Sequence, residues 1–165
     1  MTSKHGEILS KCRQMINFGF SKDLAIMQGG NAKCSEFHAA VGLAVLDAIE
    51  EKRAKRRALA TYYNALLEGT EGLTTREVNE GCGYQVYPIL FSCSTARDCV
   101  SSRLKGMGIG TRVYYIPLHH NPFFKSLHVR PLPISDLLFS CIICLPFFES
   151  LTHENMNLVI SAVKG

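Results

Sequence analysis

Apolar positions fall into two regimes along the chain, helical spacing through the first half and short compact blocks through the second. Ile8, Leu9, Cys12, Met15 and Ile16 form a stripe that predicts a short amphipathic helix over 7–18. Residues 17–31 read as a Gly-rich connection closed by Gly29-Gly30-Asn31. Phe37, Ala40, Val41, Ala44, Val45, Ala48 and Ile49 then recur at steps of three and four, which places them on one helical face. Ser35 is its N-cap candidate, and Glu36 suits the positive end of the dipole. The pattern runs on, with a bend, through Leu59, Tyr62, Tyr63, Leu66 and Leu67 until Gly69.

Beyond Gly69 the polar stretch 70–77 predicts a surface connection. Residues 84–91 predict a strand whose Pro88 points to an edge position or an irregularity. Thr95, with Asp98 three residues on, predicts a capped helix over 96–106. The β-branched and aromatic stretch 109–116 predicts a second strand. Pro117, Pro122, Pro131 and Pro133 mark a loop that leads to a short helix near Ser135, and 141–145 predicts a third, buried strand. Thr152 caps a closing helix carrying Met156, Leu158, Val159 and Val163. The expected fold class is α+β, a small three-stranded and largely antiparallel sheet with covering helices, preceded by a long helix.

Composition narrows the function classes. A chain of 165 residues, 47% hydrophobic and 19% charged, has enough apolar material for one core and is not of the disordered class. Its formal charge of +4 is far from the dense basic footprint of a dedicated nucleic-acid binder. Lys52-Arg53-Ala54-Lys55-Arg56-Arg57 is basic enough to raise that question. With Glu51 placed to pair with Lys55 and no aromatic interleaving, it reads as the solvated face of a helix. Seven cysteines, an odd number scattered through apolar segments behind no apolar leader, predict a reduced, cytoplasmic protein. The apolar block 137–148 is shorter than a membrane span and is broken by Pro146, so no membrane association is expected.

Candidate chemistry is sparse. Cys141-x-x-Cys144 has metal-ligand spacing but no second pair, and reads as core packing. Gly106-x-Gly108-x-Gly110 follows a helix and precedes a strand, the reverse of a dinucleotide loop. His119-His120, between Tyr114-Tyr115-Ile116-Pro117-Leu118 and Asn121-Pro122-Phe123-Phe124, is equally readable as a surface loop or as a ligand-contacting one. No metal site is expected there, because His128 offers no anchored third ligand. Asn31 either terminates a turn or donates to an anion.

A family resemblance resolves these last alternatives. Gly30-Asn31-Ala32-Lys33-Cys34-Ser35-Glu36-Phe37-His38-Ala39-Ala40-Val41-Gly42 resembles the Gly-x-Asn-x-(Arg/Lys)-Met-(Ser/Thr)-Glu motif of the DegT/StrS family of pyridoxal-phosphate (PLP) sugar aminotransferases. Arg53, Arg56 and Arg57 with Tyr62 and Tyr63 resemble its basic helix, and 97–109 its Arg-x-x-(x)-Leu-x-x-x-Gly-Ile stretch. Tyr114 to Pro122 is similar to its Tyr-x-x-Pro-Leu-His-x-x-Pro signature, and Leu132-Pro133 through Leu145-Pro146 completes the order.

The resemblance covers the family's C-terminal part, the small domain of a fold-type I enzyme. It implies residues 32–165 as that domain and 1–31 as the remnant of a junction with an N-terminal PLP domain. The Schiff-base lysine belongs to that other domain, and Lys4, Lys11 and Lys33 do not stand in its setting. The resemblance therefore implies no catalytic residue in this chain and no transamination by it alone. It implies that Asn31 reaches a partner subunit's PLP phosphate and that Lys33 meets a nucleotide-sugar diphosphate, where Arg is usual. Cys34 replaces the usual Met. Tyr115 and His119 are implied to line the sugar side. The expected partners are a second copy or the missing PLP domain, and a nucleotide sugar. A truncated gene product, half of a split enzyme, and a non-catalytic binding or dimerisation module all remain open. In each, the Leu9/Met15 stripe and the helix from Phe37 would be exposed.

Overall fold

The computed structural model describes residues 2–124 and 130–165. The chain divides into two compact units, Met1–Ala48 and Ile49–Gly165.

In the first unit, α1 (Gly6–Met15) is shorter than its apolar stripe because the chain turns at once. Phe18 and Gly19 both take positive φ, and a Cβ at Gly19 would lie 1.8 Å from the Met27 carbonyl oxygen. Only glycine fits there. The connection read as irregular holds a two-residue hairpin, β1 (Phe20–Ser21) paired antiparallel with β2 (Leu24–Ala25). An isolated bridge joins Asn17 to Asn31. The helix α2 (Glu36–Asp47) follows, and its N-cap is the expected one: the Ser35 hydroxyl accepts from the His38 N–H at 3.3 Å. No residue of α2 is buried, and Phe37, Val41, Leu43 and Leu46 are all exposed.

The second unit carries the core. The bend expected in the helical pattern falls at Ala48, where α2 ends, and α3 (Ile49–Leu67) starts afresh with Glu50 and Glu51 in its first turn. Leu59, Ala60, Tyr63 and Leu67 face inward at steps of three and four. The basic run occupies the N-terminal half of the helix, and four of its five cations meet carboxylates. Arg56 Nε donates to Glu149 at 2.7 Å, Lys52 sits 3.6 Å from the same side chain, and Lys55 pairs with Glu51 at 2.6 Å. Lys55 on Glu51 fits the solvated-face reading, whereas Arg53 and Arg56 are half-buried and also bond the Glu80 and Tyr84 carbonyls.

The sheet is three-stranded and antiparallel as expected, but one strand is not the one the sequence pointed to. Its order is β3 (Leu73–Thr75), β4 (Tyr87–Phe91), β5 (Ile142–Leu145). The polar 70–77 stretch supplies the edge strand β3. Residues 109–116 form no strand: Arg112 makes an isolated bridge to Cys144, and Ile109 and Val113 pack against the core. Pro88 therefore stands in the central strand and not at an edge, but in a position that is not fully hydrogen-bonded. Register explains how it is tolerated. Cys144 exchanges both backbone bonds with Arg112, so in the β4–β5 ladder the pair Pro88–Cys144 makes none. On its other side β3 has already ended opposite Ile89. The missing N–H is not required.

Covering helices complete the layer. α4 (Ser94–Gly106) begins two residues earlier than expected, with Cys93 at the cap and no side-chain bond, so Thr95 and Asp98 form no capping box. It ends in the expected turn, with Gly108 at positive φ and the Ile109 N–H on the Leu104 carbonyl. α5 (Pro133–Cys141) opens on Pro133 rather than Ser135, a residue suited to the first helical turn. α6 (His153–Lys164) is capped as expected by Thr152, whose hydroxyl accepts from the Asn155 N–H.

Tyr63, Ile89, Leu104, Ile143 and Met156 are the large side chains fully enclosed in this core. The Tyr63 ring stacks on Tyr87 at 4.7 Å, and its hydroxyl donates to the Pro146 carbonyl. Burial raises both phenol pKa values far above the ordinary tyrosine range. Ile89→Ala is expected to destabilise the chain by about 2–5 kcal/mol, read as a lower urea midpoint at unchanged slope.

Candidate functional site

The residues singled out from the sequence fall in both units. Asn31 and Lys33 lie in the first, where the hairpin turn places them beside Asn17. The Lys33 ammonium donates to Asn17 Oδ1 at 3.0 Å and sits 5.6 Å from the centre of the Phe18 ring. Asn31 and Lys33 are both exposed. Asn31 pairs through its backbone with Asn17, which leaves the carboxamide for other uses.

Tyr115 and His119 lie in the second unit, on the segment that leaves the sheet at Arg112. This segment was read as a strand, but Tyr115 and Ile116 are largely exposed and Pro117 turns the chain into a 3-10 turn, Leu118–His120. A second such turn, Pro122–Phe124, follows. Together with α5 the segment lines an open cavity of about 680 Å³. Its wall is largely apolar, with Tyr114, Tyr115, Leu118, Leu138 and Phe139, and its polar groups include the His119 imidazole and the Ser135 hydroxyl. An apolar, aromatic wall with a few polar groups is the usual lining of a small-molecule site.

Asp136, in the first turn of α5, is the residue the sequence reading missed. Its Oδ1 accepts from Nε2 of His119 at 2.6 Å and stands 2.8 Å from Nε2 of His120. His119 is 16% exposed and Asp136 43%. The hydrogen bond from His119, followed by the charges of the two imidazoles, holds the Asp136 carboxyl below the usual carboxylate range. The available signal was an acid one turn into a Pro-started helix, 17 residues from His119, a separation that only the tertiary fold closes. His128, considered above as a third ligand, lies outside the described residues. Cys141 and Cys144 are buried in the core, and burial raises the Cys144 thiol pKa.

The DegT/DnrJ/EryC1/StrS aminotransferase family model matches residues 1–164. The chain belongs to this family. A dTDP-4-amino-4,6-dideoxy-D-glucose transaminase from Escherichia coli is 35% identical over 150 residues, which span 86% of this chain and 40% of that protein. A DegT DnrJ EryC1 StrS aminotransferase from Brucella abortus superposes with a TM-score of 0.85 at 26% identity, over 99% of this chain and 44% of the other. The structure of ntda from Bacillus subtilis, solved with bound cofactor PMP, shares the fold at a TM-score of 0.84 and 23% identity, over 98% of this chain and 40% of the other. Members of the DegT family are PLP-dependent, and this chain spans less than half the length of these relatives. No helix among the described residues is long and apolar enough to cross a membrane.

Among the described residues, Asn31 and Lys33 do not by themselves make a complete PLP pocket. Lys33 is engaged by Asn17 and Phe18, and Asn31 offers a neutral donor suited to a phosphate but to no other part of the cofactor.

Because the folded pKa of Asp136 is lowered, its contribution to stability is complete above the unfolded value of about 4 and is lost as pH falls through the folded one. The melting-temperature gap between the native chain and Asp136→Ala should be present at pH 7 and close in acid. A gap that persists below both values would assign the effect to packing.

Proposed function

We propose that this chain is the C-terminal portion of a PLP-dependent nucleotide-sugar aminotransferase, which passes an amino group from glutamate to a keto-sugar nucleotide once joined by its lysine-bearing domain. Two observations support the reading together. The family match runs along 1–164, while the aligned relatives extend to more than twice that length. The sequence of α2 is apolar nearly all round, yet none of its residues is buried. A helix of that composition belongs inside an assembly, and the absent domain or a second copy is what would cover it.

In that assembly residues 1–31 form the junction, and Asn31 donates its carboxamide N–H to the cofactor phosphate of a partner subunit. Lys33 supplies a point charge to the diphosphate of the sugar nucleotide. Its bond to Asn17 keeps the ammonium close to Asn31 without consuming all three of its donors. Tyr115 and His119 face the sugar from the wall of the aromatic cavity. With its Nε2–H held by Asp136, the His119 ring presents Nδ1 as an acceptor. The proton shuttle and the electron sink belong to the cofactor and to residues outside these 165 positions.

Incubated with PLP, the chain should not develop the visible absorption of a lysine-bound cofactor, and glutamate should cause no spectral change. A band that glutamate quenches would overturn the assignment. Lys33→Ala should weaken nucleotide-sugar binding by roughly tenfold in calorimetry, the loss expected for one charge-assisted contact.

A further inference from the structure

His119, His120 and Asp136 converge more closely than their positions in the chain require. Adjacent residues of a 3-10 turn point about a third of a turn apart. Yet the His119 and His120 rings meet edge to face at 4.4 Å, and both present Nε2 to one carboxylate oxygen. The three ligand atoms all lie within 4.8 Å of one another. The support is aromatic: His120 packs edge-on against Phe139, three residues beyond Asp136 on α5. His119 and Phe139 are also wall residues of the cavity, so the cluster stands at its boundary.

We propose that His119, His120 and Asp136 form a binding site for a borderline divalent metal ion of the Zn²⁺ class. Two imidazole nitrogens and one carboxylate oxygen are the donor set such ions select, whereas Mg²⁺ and Ca²⁺ demand more oxygen ligands. A tetrahedral metal bonded at about 2.0–2.1 Å to each ligand would set neighbouring ligand atoms about 3.3 Å apart. The present 2.6 Å and 2.8 Å separations reach that spacing by a small outward movement of the Asp136 side chain. Both imidazoles bind as neutral rings with the proton moved to Nδ1, so the filled site carries a net charge of +1. Three protein ligands leave a tetrahedral ion one open position, for water or an oxygen of a molecule in the cavity. This inference rests on the side-chain cluster alone and stands whether or not the chain contributes to amino transfer.

The test is calorimetric titration of the full chain with Zn²⁺, repeated with Co²⁺ as a spectroscopic probe of coordination. One ion per chain should bind at roughly micromolar Kd or tighter, and Co²⁺ should give the visible bands of a four-coordinate N,O site. His120→Gln and Asp136→Ala should each weaken binding at least tenfold with circular dichroism unchanged, while His38→Gln leaves it intact. Should Asp136→Ala unfold the α5 region, His120→Gln, a change on an exposed ring, decides alone. Absence of saturable binding would overturn the proposal. So would octahedral Co²⁺ spectra unaltered by His120→Gln, or an affinity that follows His38 instead.

Discussion

The backbone pairing at Cys144 is the constraint on which the site geometry depends. Cys144 donates to the Arg112 carbonyl at 2.7 Å and accepts from the Arg112 N–H at 3.2 Å. Across the other side of its strand it stands opposite Pro88, which has no N–H to offer. A residue in an antiparallel ladder directs both backbone groups to one neighbour. With Pro88 opposite, the groups of Cys144 would be left unpaired in the core if Arg112 were absent, and a buried unpaired amide is costly. One exchange of hydrogen bonds thus satisfies the strand and ties down the start of the 112–120 segment.

From that node two stretches of chain run to the cavity. One leaves Arg112 through the aromatic residues to the 3-10 turn carrying His119 and His120. The other runs back from Cys144 through β5 and into α5, which ends directly before it. Their far ends meet where Asp136 accepts from His119. The cavity is the space between them, lined by side chains that the sheet does not bury. Exposed Tyr115 and buried Cys144 therefore belong to one arrangement. The sheet supplies rigidity, and the segment it releases after a single bridge supplies the ligand-facing surface.

The first unit is organised by backbone geometry rather than by burial. Its only buried residue among those described is Gly19, where a side chain would collide with the Met27 carbonyl. The turn there brings Asn17 against Asn31 and lets Lys33 reach the Asn17 carboxamide. The apolar residues of α2 add nothing to the stability of such a unit while they face water. The relatives that match this chain are themselves more than twice as long.

By itself the sequence determined the elements whose chemistry is local: the Ser35 and Thr152 caps, the stop after Gly106, the helix carrying Tyr63, the buried block ending at Leu145, and the motifs that place the chain in its family. A cap, a glycine turn or an apolar period acts within a few residues, so the residues alone reveal it. Strand membership is different, because a strand exists only through a neighbour distant in the chain. The tertiary structure alone decided that polar Leu73–Thr75 would pair with β4 while the more strand-like 109–116 would not. It decided likewise that Pro88 could sit in the centre, and that Asp136, across 17 residues, would gather two histidines on one oxygen.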